Sequence, residues 1–234
     1  MKGMKRIVLS LNVLLLVALL ASTIAYMCLS GLRLKALTAG FFTLPGLINM
    51  LYALSHKEKR KGFPIAMGAG LAVCMLADVV LNIDFVIGAV IFMAGHALYV
   101  AAFCLRSRWV RQDTFATLGM LLVSALLLTF LNLDFDMPFL YPACAAYGAV
   151  ISFMVGKAVS TALRERTPAS IIMGISSVMF YFSDLMLLLY FYGGASRLAD
   201  RLCLITYFPA QGLFALSIFI HTWKEALHER TNHC

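Results

Sequence analysis

Two acidic side chains stand out because of the company they keep. Asp78 lies in GAGLAVCMLADVVLN (68–82) and Asp184 in GISSVMFYFSD (174–184), each among residues that favour oil over water. An ionisable group at membrane depth is costly enough to be a functional candidate by default. Burial disfavours the charged form of a carboxyl group, and a second carboxylate nearby disfavours it further for one of the pair. Two such groups can therefore present an acid beside a base at neutral pH. That arrangement suits a hydrolysis in which one group protonates the substrate and the other steers water.

Polar residues at helical spacing extend both candidates. Asn82 lies four residues past Asp78 and Tyr181 three before Asp184, so each shares a face with its aspartate. His96 pairs with Tyr99 in the same way, and Tyr207 with Gln211. Lipid offers no hydrogen bonds, so such clusters must face a bundle interior. For Asn82, Tyr99, Tyr181 and Tyr207 the plainer role is an interhelical hydrogen bond, worth ~0.6 kcal/mol on average. A carboxylate is a poor choice merely to join helices, and His96 stands between these cases. No GxSxG, HExxH, P-loop or GxGxxG motif competes. Intramembrane aspartyl proteases use YD and GxGD, where this chain reads Leu76-Ala77-Asp78 and Phe182-Ser183-Asp184. Lys157 lies near the end of a span, where it can snorkel, which argues against a Schiff-base lysine. The six cysteines (Cys28, Cys74, Cys104, Cys144, Cys203 and Cys234) show no metal or disulfide spacing and read as packing residues.

The elements that must position these side chains are membrane helices. The chain is 62% apolar and 13% charged, with a mean hydropathy of +0.89, against roughly 45–50% and ~25% in soluble domains. Apolar runs near 7–29, 36–54, 65–82, 85–105, 114–132, 137–163, 168–192 and 202–223 are each long enough to cross a bilayer. The expected fold is all-α: a polytopic bundle of eight transmembrane helices in a single domain, residues 1–234. The basic N-terminus reads as an uncleaved first helix, because its apolar run is too long for a signal peptide and more spans follow.

Basic residues concentrate on one side of this bundle. Lys2, Lys5 and Arg6, the segment 56–61, Arg106, Arg108, Arg111, Arg164, Arg166, Lys224 and Arg230 share a face. The other face receives Arg33, Lys35, Arg197 and Arg201, with Asp84, Asp134 and Asp136. The positive-inside rule then places both termini in the cytoplasm, in the cell (inner) membrane. The net charge of +8 is thereby a topology signal beside anionic lipid, not a nucleic-acid footprint. Gly68-x9-Asp78 and Gly174-x9-Asp184 match in spacing, each opening a helix pair, which points to a weak parallel four-helix repeat. Such a repeat sets both aspartates at similar depth, near the non-cytoplasmic end.

These same segments, with ITYFPAQGLFALS (205–217), resemble the YhhN-like, or lysoplasmalogenase, family of eight-span membrane proteins. The resemblance rests on the G-x9-D element, Gly95-His96-x-x-Tyr99, Ser183-Asp184 and Thr206-Tyr207-x-x-Ala210-Gln211, and covers the chain from about residue 33 onward. Where the family commonly has Lys-Pro-Leu, this chain reads Lys35-Ala36-Leu37. The resemblance implies hydrolysis of the vinyl ether bond of lysoplasmalogens to a fatty aldehyde and a glycerophospho-head group. It carries the family's two essential aspartates onto Asp78 and Asp184, and implies no metal or organic cofactor. Asn82, His96, Tyr99, Tyr181, Tyr207 and Gln211 are then expected around the substrate, with Lys35, Arg197 or Arg201 meeting its phosphate. The expected partners are a lysophospholipid and the surrounding membrane lipid. A proton-coupled transporter using the same aspartates, and a non-catalytic lipid-binding protein, are the competing classes.

Overall fold

The structure, a computed structural model, describes residues 2–55 and 61–231, with side chains described for 3–55 and 61–223. All eight expected spans are helices: α1 Lys2–Leu29, α2 Leu32–Ser55, α3 Gly62–Val80, α4 Phe85–Arg106, α5 Arg111–Phe130, α6 Leu140–Glu165, α7 Pro168–Tyr192 and α8 Arg197–Thr231. Each is long and apolar enough to cross a membrane, and the described residues contain no strand. An even number of crossings returns the ends of the bundle to one side, called here the N-terminal face. Most of the basic segment 56–61 and the tail residues 232–234, with Cys234, lie outside the described residues.

The helix ends follow local chemistry rather than hydropathy alone. The α1–α2 connection is two residues long, and Gly31 turns it at φ +110°, a conformation strained for other residues. Asp84 caps α4 by accepting from the Ile87 N–H at 2.9 Å. Asp113 reaches back to the Val110 N–H at 2.8 Å, which starts α5 ahead of its apolar run. Thr167 and Pro168 open α7. Asn82 falls beyond the end of α3, where its Nδ2 donates to the Asp78 carbonyl at 2.6 Å. The early stop has a consequence for depth. Asp78 sits within a turn of the end of its helix, whereas Asp184 lies about 12 Å before the end of α7, at 1.5 Å per residue.

Packing reflects the repeat and then breaks it. Helix α2 packs on α8 as its counterpart α6 packs on α4. However, α8 also packs on α1 and α3, while α4 makes no close backbone approach to α5 or α7. One half of the bundle is thus closed and the other is left with a gap. Small residues set the tight α3–α4 contact: a Cβ on Gly70 would lie 2.5 Å from the Tyr99 ring, and one on Gly95 would lie 2.6 Å from Cys74 Sγ.

The N-terminal face of α4–α7 carries a charge network that sequence reading missed. Lys157 does not snorkel: it is fully buried, 2.7 Å from an Asp113 carboxylate that is itself fully buried. Its ammonium also donates to the Arg108 carbonyl, and Arg164 meets the other Asp113 oxygen at 3.0 Å. Arg106 pairs with Glu165 at 2.8 Å. The snorkelling expectation failed because a partner on a neighbouring helix, far off in sequence, holds the ammonium inside.

Candidate active site

Each aspartate is held by two neighbours, and the neighbours occupy corresponding helices. Asp78 on α3 faces Lys35 on α2, with Nζ 3.7 Å from Oδ1, and accepts from Tyr207 Oη on α8 at 2.7 Å. Asp184 on α7 accepts from Tyr147 Oη on α6 at 2.7 Å and lies 3.2 Å from His96 Nε2 on α4. The α2/α6 and α8/α4 equivalence is the relation the repeat predicts. Each carboxylate accepts from a phenol, but the second partner differs: an ammonium at Asp78 and an imidazole at Asp184.

The His96 ring constrains where protons sit. Its Nδ1 lies 2.6 Å from the Phe92 carbonyl oxygen, which only accepts, so Nδ1 carries a hydrogen. In a neutral ring Nε2 then bears a lone pair, and that lone pair faces a carboxyl oxygen. The contact is favourable only with a proton between the two atoms. The geometry thus suits a proton held between His96 Nε2 and Asp184 Oδ2. Tyr147 steadies the same Asp184 oxygen, and its ring meets His96 edge-on at 5.2 Å.

Asp184 borders open space, and His96 is buried behind it. A cavity of ≈ 190 Å³ fills the gap between α4, α5, α6 and α7, on the side away from the N-terminal face. Its walls are apolar, as at Met93, Leu127, Ile151 and Leu188, except where Asp184, Tyr147, Tyr181 and Ser124 enter. Asp184 is 15% exposed in its side chain, against 3% for Asp78. At the outer end Phe85 packs on Phe191 with ring centroids 4.4 Å apart, and Phe135 packs on Tyr192 at 5.0 Å. The bond from the Asp134 N–H to the Tyr192 carbonyl, 2.7 Å, ties the α5–α6 loop to this rim.

The other expected residues distribute unevenly. Tyr181 lines the cavity but bonds Ser124 at 2.8 Å instead of Asp184. Tyr207 and Gln211 do act as neighbours on one face, with Gln211 Nε2 donating to Tyr207 Oη at 3.2 Å. Tyr99 turns away from His96 and donates to Gln211 Oε1 at 2.6 Å. Asn82 is exposed and bonded to its own helix, so it joins neither aspartate's side-chain network. Lys35 is buried against Asp78 rather than standing free at the surface, because its stem lies in the first turn of α2 instead of a loop. Asp78 is not among the residues that line this cavity. Between the two carboxylates lies an aromatic layer: Phe92 and Phe180 each contact both Tyr207 and His96. Among the described residues, no three His, Cys, Asp or Glu side chains converge as a metal site. Tyr147 was missed, as a tyrosine among nine with no local signal.

Fold and site together define a polytopic helical membrane protein with a largely apolar cavity among its helices and a carboxylate, Asp184, on its wall, backed by the buried His96 imidazole. The chain belongs to the YhhN family, whose pattern it matches over residues 37–218. Comparison with curated proteins and with solved structures finds no match.

Proposed function

We propose that the protein is a membrane hydrolase that cleaves the vinyl ether bond of lysoplasmalogen-like lysolipids. The observation that carries this reading is Asp184 on the wall of an otherwise apolar cavity, with His96 Nε2 behind it at 3.2 Å. An enol ether hydrolyses by protonation of its β carbon, and that step needs a proton donor in a water-poor, apolar setting. The pair delivers its proton to that carbon: a C–H bond forms at the expense of the C=C π bond, and the ether oxygen shares the resulting positive charge as an oxocarbenium ion. The ionised pair stabilises that cation. Water then attacks the oxocarbenium carbon and its proton returns to the pair. The hemiacetal collapses as its C–O bond to glycerol breaks; its hydroxyl proton leaves to the pair and the glycerol oxygen takes one up. One water is consumed, and the site ends as it began.

Family membership and the cavity's apolar walls support a single hydrocarbon chain as the occupant. The lysophospholipid would lie with its chain among α4, α5, α6 and α7 and its head group near the aromatic rim. Orientation follows the basic-residue bias, with both termini in the cytoplasm. A proton-coupled carrier is the second reading, favoured by the quasi-repeat with one closed and one open half. Incubating the purified protein in detergent with vinyl ether, ester and alkyl ether lysolipids separates the two. Aldehyde from the vinyl ether alone is the expected result; no product from any of them, with proton-dependent flux in vesicles, favours the carrier.

A further inference from the structure

The two aspartates are not interchangeable, and the difference assigns their roles. Asp78 is 2% exposed and lies behind Phe92 and Phe180, away from the cavity wall. Lys35, 7% exposed, brings its ammonium to 3.7 Å from Oδ1. A buried ammonium persists only when paired, and Asp78 is the partner within reach. The other oxygen ends a relay of donors that all point one way. Tyr99 Oη donates to Gln211 Oε1, Gln211 Nε2 donates to Tyr207 Oη, and Tyr207 Oη donates to Asp78 Oδ2. With the ammonium at Oδ1 and this relay ending on Oδ2, both oxygens of Asp78 face donors, the setting that suits an ionised carboxylate. The remaining ionisable neighbours of this group are Asp184 on α7, Cys74 on its own helix, Tyr26 on α1 and, beside Lys35, Asp200 and Arg201 on α8. Asp184 faces His96, Tyr147 and Cys203, shares Cys74 with Asp78, and has no ammonium or guanidinium within 4 Å among the described residues.

We propose that Lys35 is the permanent internal counter-ion of Asp78. Asp78 thereby stays ionised and is a positioning residue acting through Tyr207, and the Asp184–His96 pair is the sole proton donor of the site. The link from Tyr207 to His96 is mechanical. The Tyr207 ring stands edge-on to Phe92 at 5.7 Å and to Phe180 at 5.2 Å. Phe180 packs on His96 at 4.6 Å, and the Phe92 carbonyl fixes His96 Nδ1. Losing the anchor on Tyr207 loosens the residues that aim the imidazole. The catalytic division rests on the hydrolytic reading above; the ion pair itself does not.

A charge-pair cycle tests the proposal. Asp78→Asn alone strands a buried ammonium, whereas Asp78→Asn with Lys35→Met removes both charges. The double variant is expected to turn over vinyl ether lysolipid about tenfold or more faster than Asp78→Asn, within the range of coupling between contacting residues. Asp184→Asn should lose ~10²-fold or more whether or not Lys35 is replaced. Infrared difference spectra of wild type minus the double variant provide a readout that needs no substrate and no single variant. The signal lost from wild type should be a carboxylate band, with no protonated carboxyl band. A folded double variant as inactive as Asp78→Asn would overturn the positioning role, and a protonated carboxyl signal assigned to Asp78 would overturn the ion pair. If wild type released no aldehyde, the hydrolytic reading would fail while the infrared arm still decided the charge state.

Discussion

Replacing His96 by glutamine removes the shared proton while leaving an amide of similar reach. In the native site Nε2 lies 3.2 Å from Asp184 and Nδ1 bonds the Phe92 carbonyl at 2.6 Å. The glutamine amide can keep one of these contacts, but it cannot accept and return a proton. Proton transfer by a positioned group contributes ~10²–10⁴ in rate, so turnover should fall by at least ~10²-fold, ~2.7 kcal/mol in the barrier. The folding cost is far smaller: one buried hydrogen bond, ~1 kcal/mol, or about 2–4 °C in Tm for a protein of this size. The assay measures aldehyde release and thermal unfolding in the same detergent preparation. A large loss of kcat with a nearly unchanged Tm is the expected pattern. A variant that melts much earlier yet retains wild-type turnover per folded molecule would refute the reasoning and leave His96 as an interhelical hydrogen-bonding residue.

Tyr147→Phe deletes the 2.7 Å bond to Asp184 and little else, so kcat should drop about tenfold, the cost of one hydrogen bond to a charged group, with the Tm close to wild type. Lys157→Met leaves the buried Asp113 with Arg164 as its one remaining cation within 4 Å among the described residues; it should destabilise the protein by up to ~3 kcal/mol, seen as a lower Tm in detergent, with turnover per folded molecule unchanged because the network lies at the other end of the bundle. Reporter fusions within 106–113 should report cytoplasm and fusions within 131–139 the opposite side; the reverse pattern would invert the orientation and move the cavity to the cytoplasmic half.

The architecture was legible because hydropathy over twenty residues is a one-dimensional signal, and all eight spans are helices. Helix ends were less so, since Asp113 and Asp84 act through local caps that extend or fix a helix independently of its apolar run. The buried aspartates were legible for a physical reason: a carboxylate amid Leu, Val and Phe is expensive wherever the chain folds. Their partners were another matter. Neither Tyr147 nor the buried state of Lys157 has a local signature, because each depends on a helix more than thirty residues away. Asn82 shows the converse error. Its four-residue offset from Asp78 predicts a shared face, but the helix ends between them and the side chain caps its own backbone.

The central claim is that a proton from the Asp184–His96 pair is delivered to carbon. Hydrolysis of a vinyl ether lysolipid by the purified protein in D2O, with the aldehyde trapped and weighed by mass spectrometry, tests it most directly. The account predicts an aldehyde carrying one deuterium on the carbon next to the carbonyl, formed more slowly than in H2O and not formed by Asp184→Asn. An aldehyde without that deuterium, or the same yield from Asp184→Asn, would contradict it.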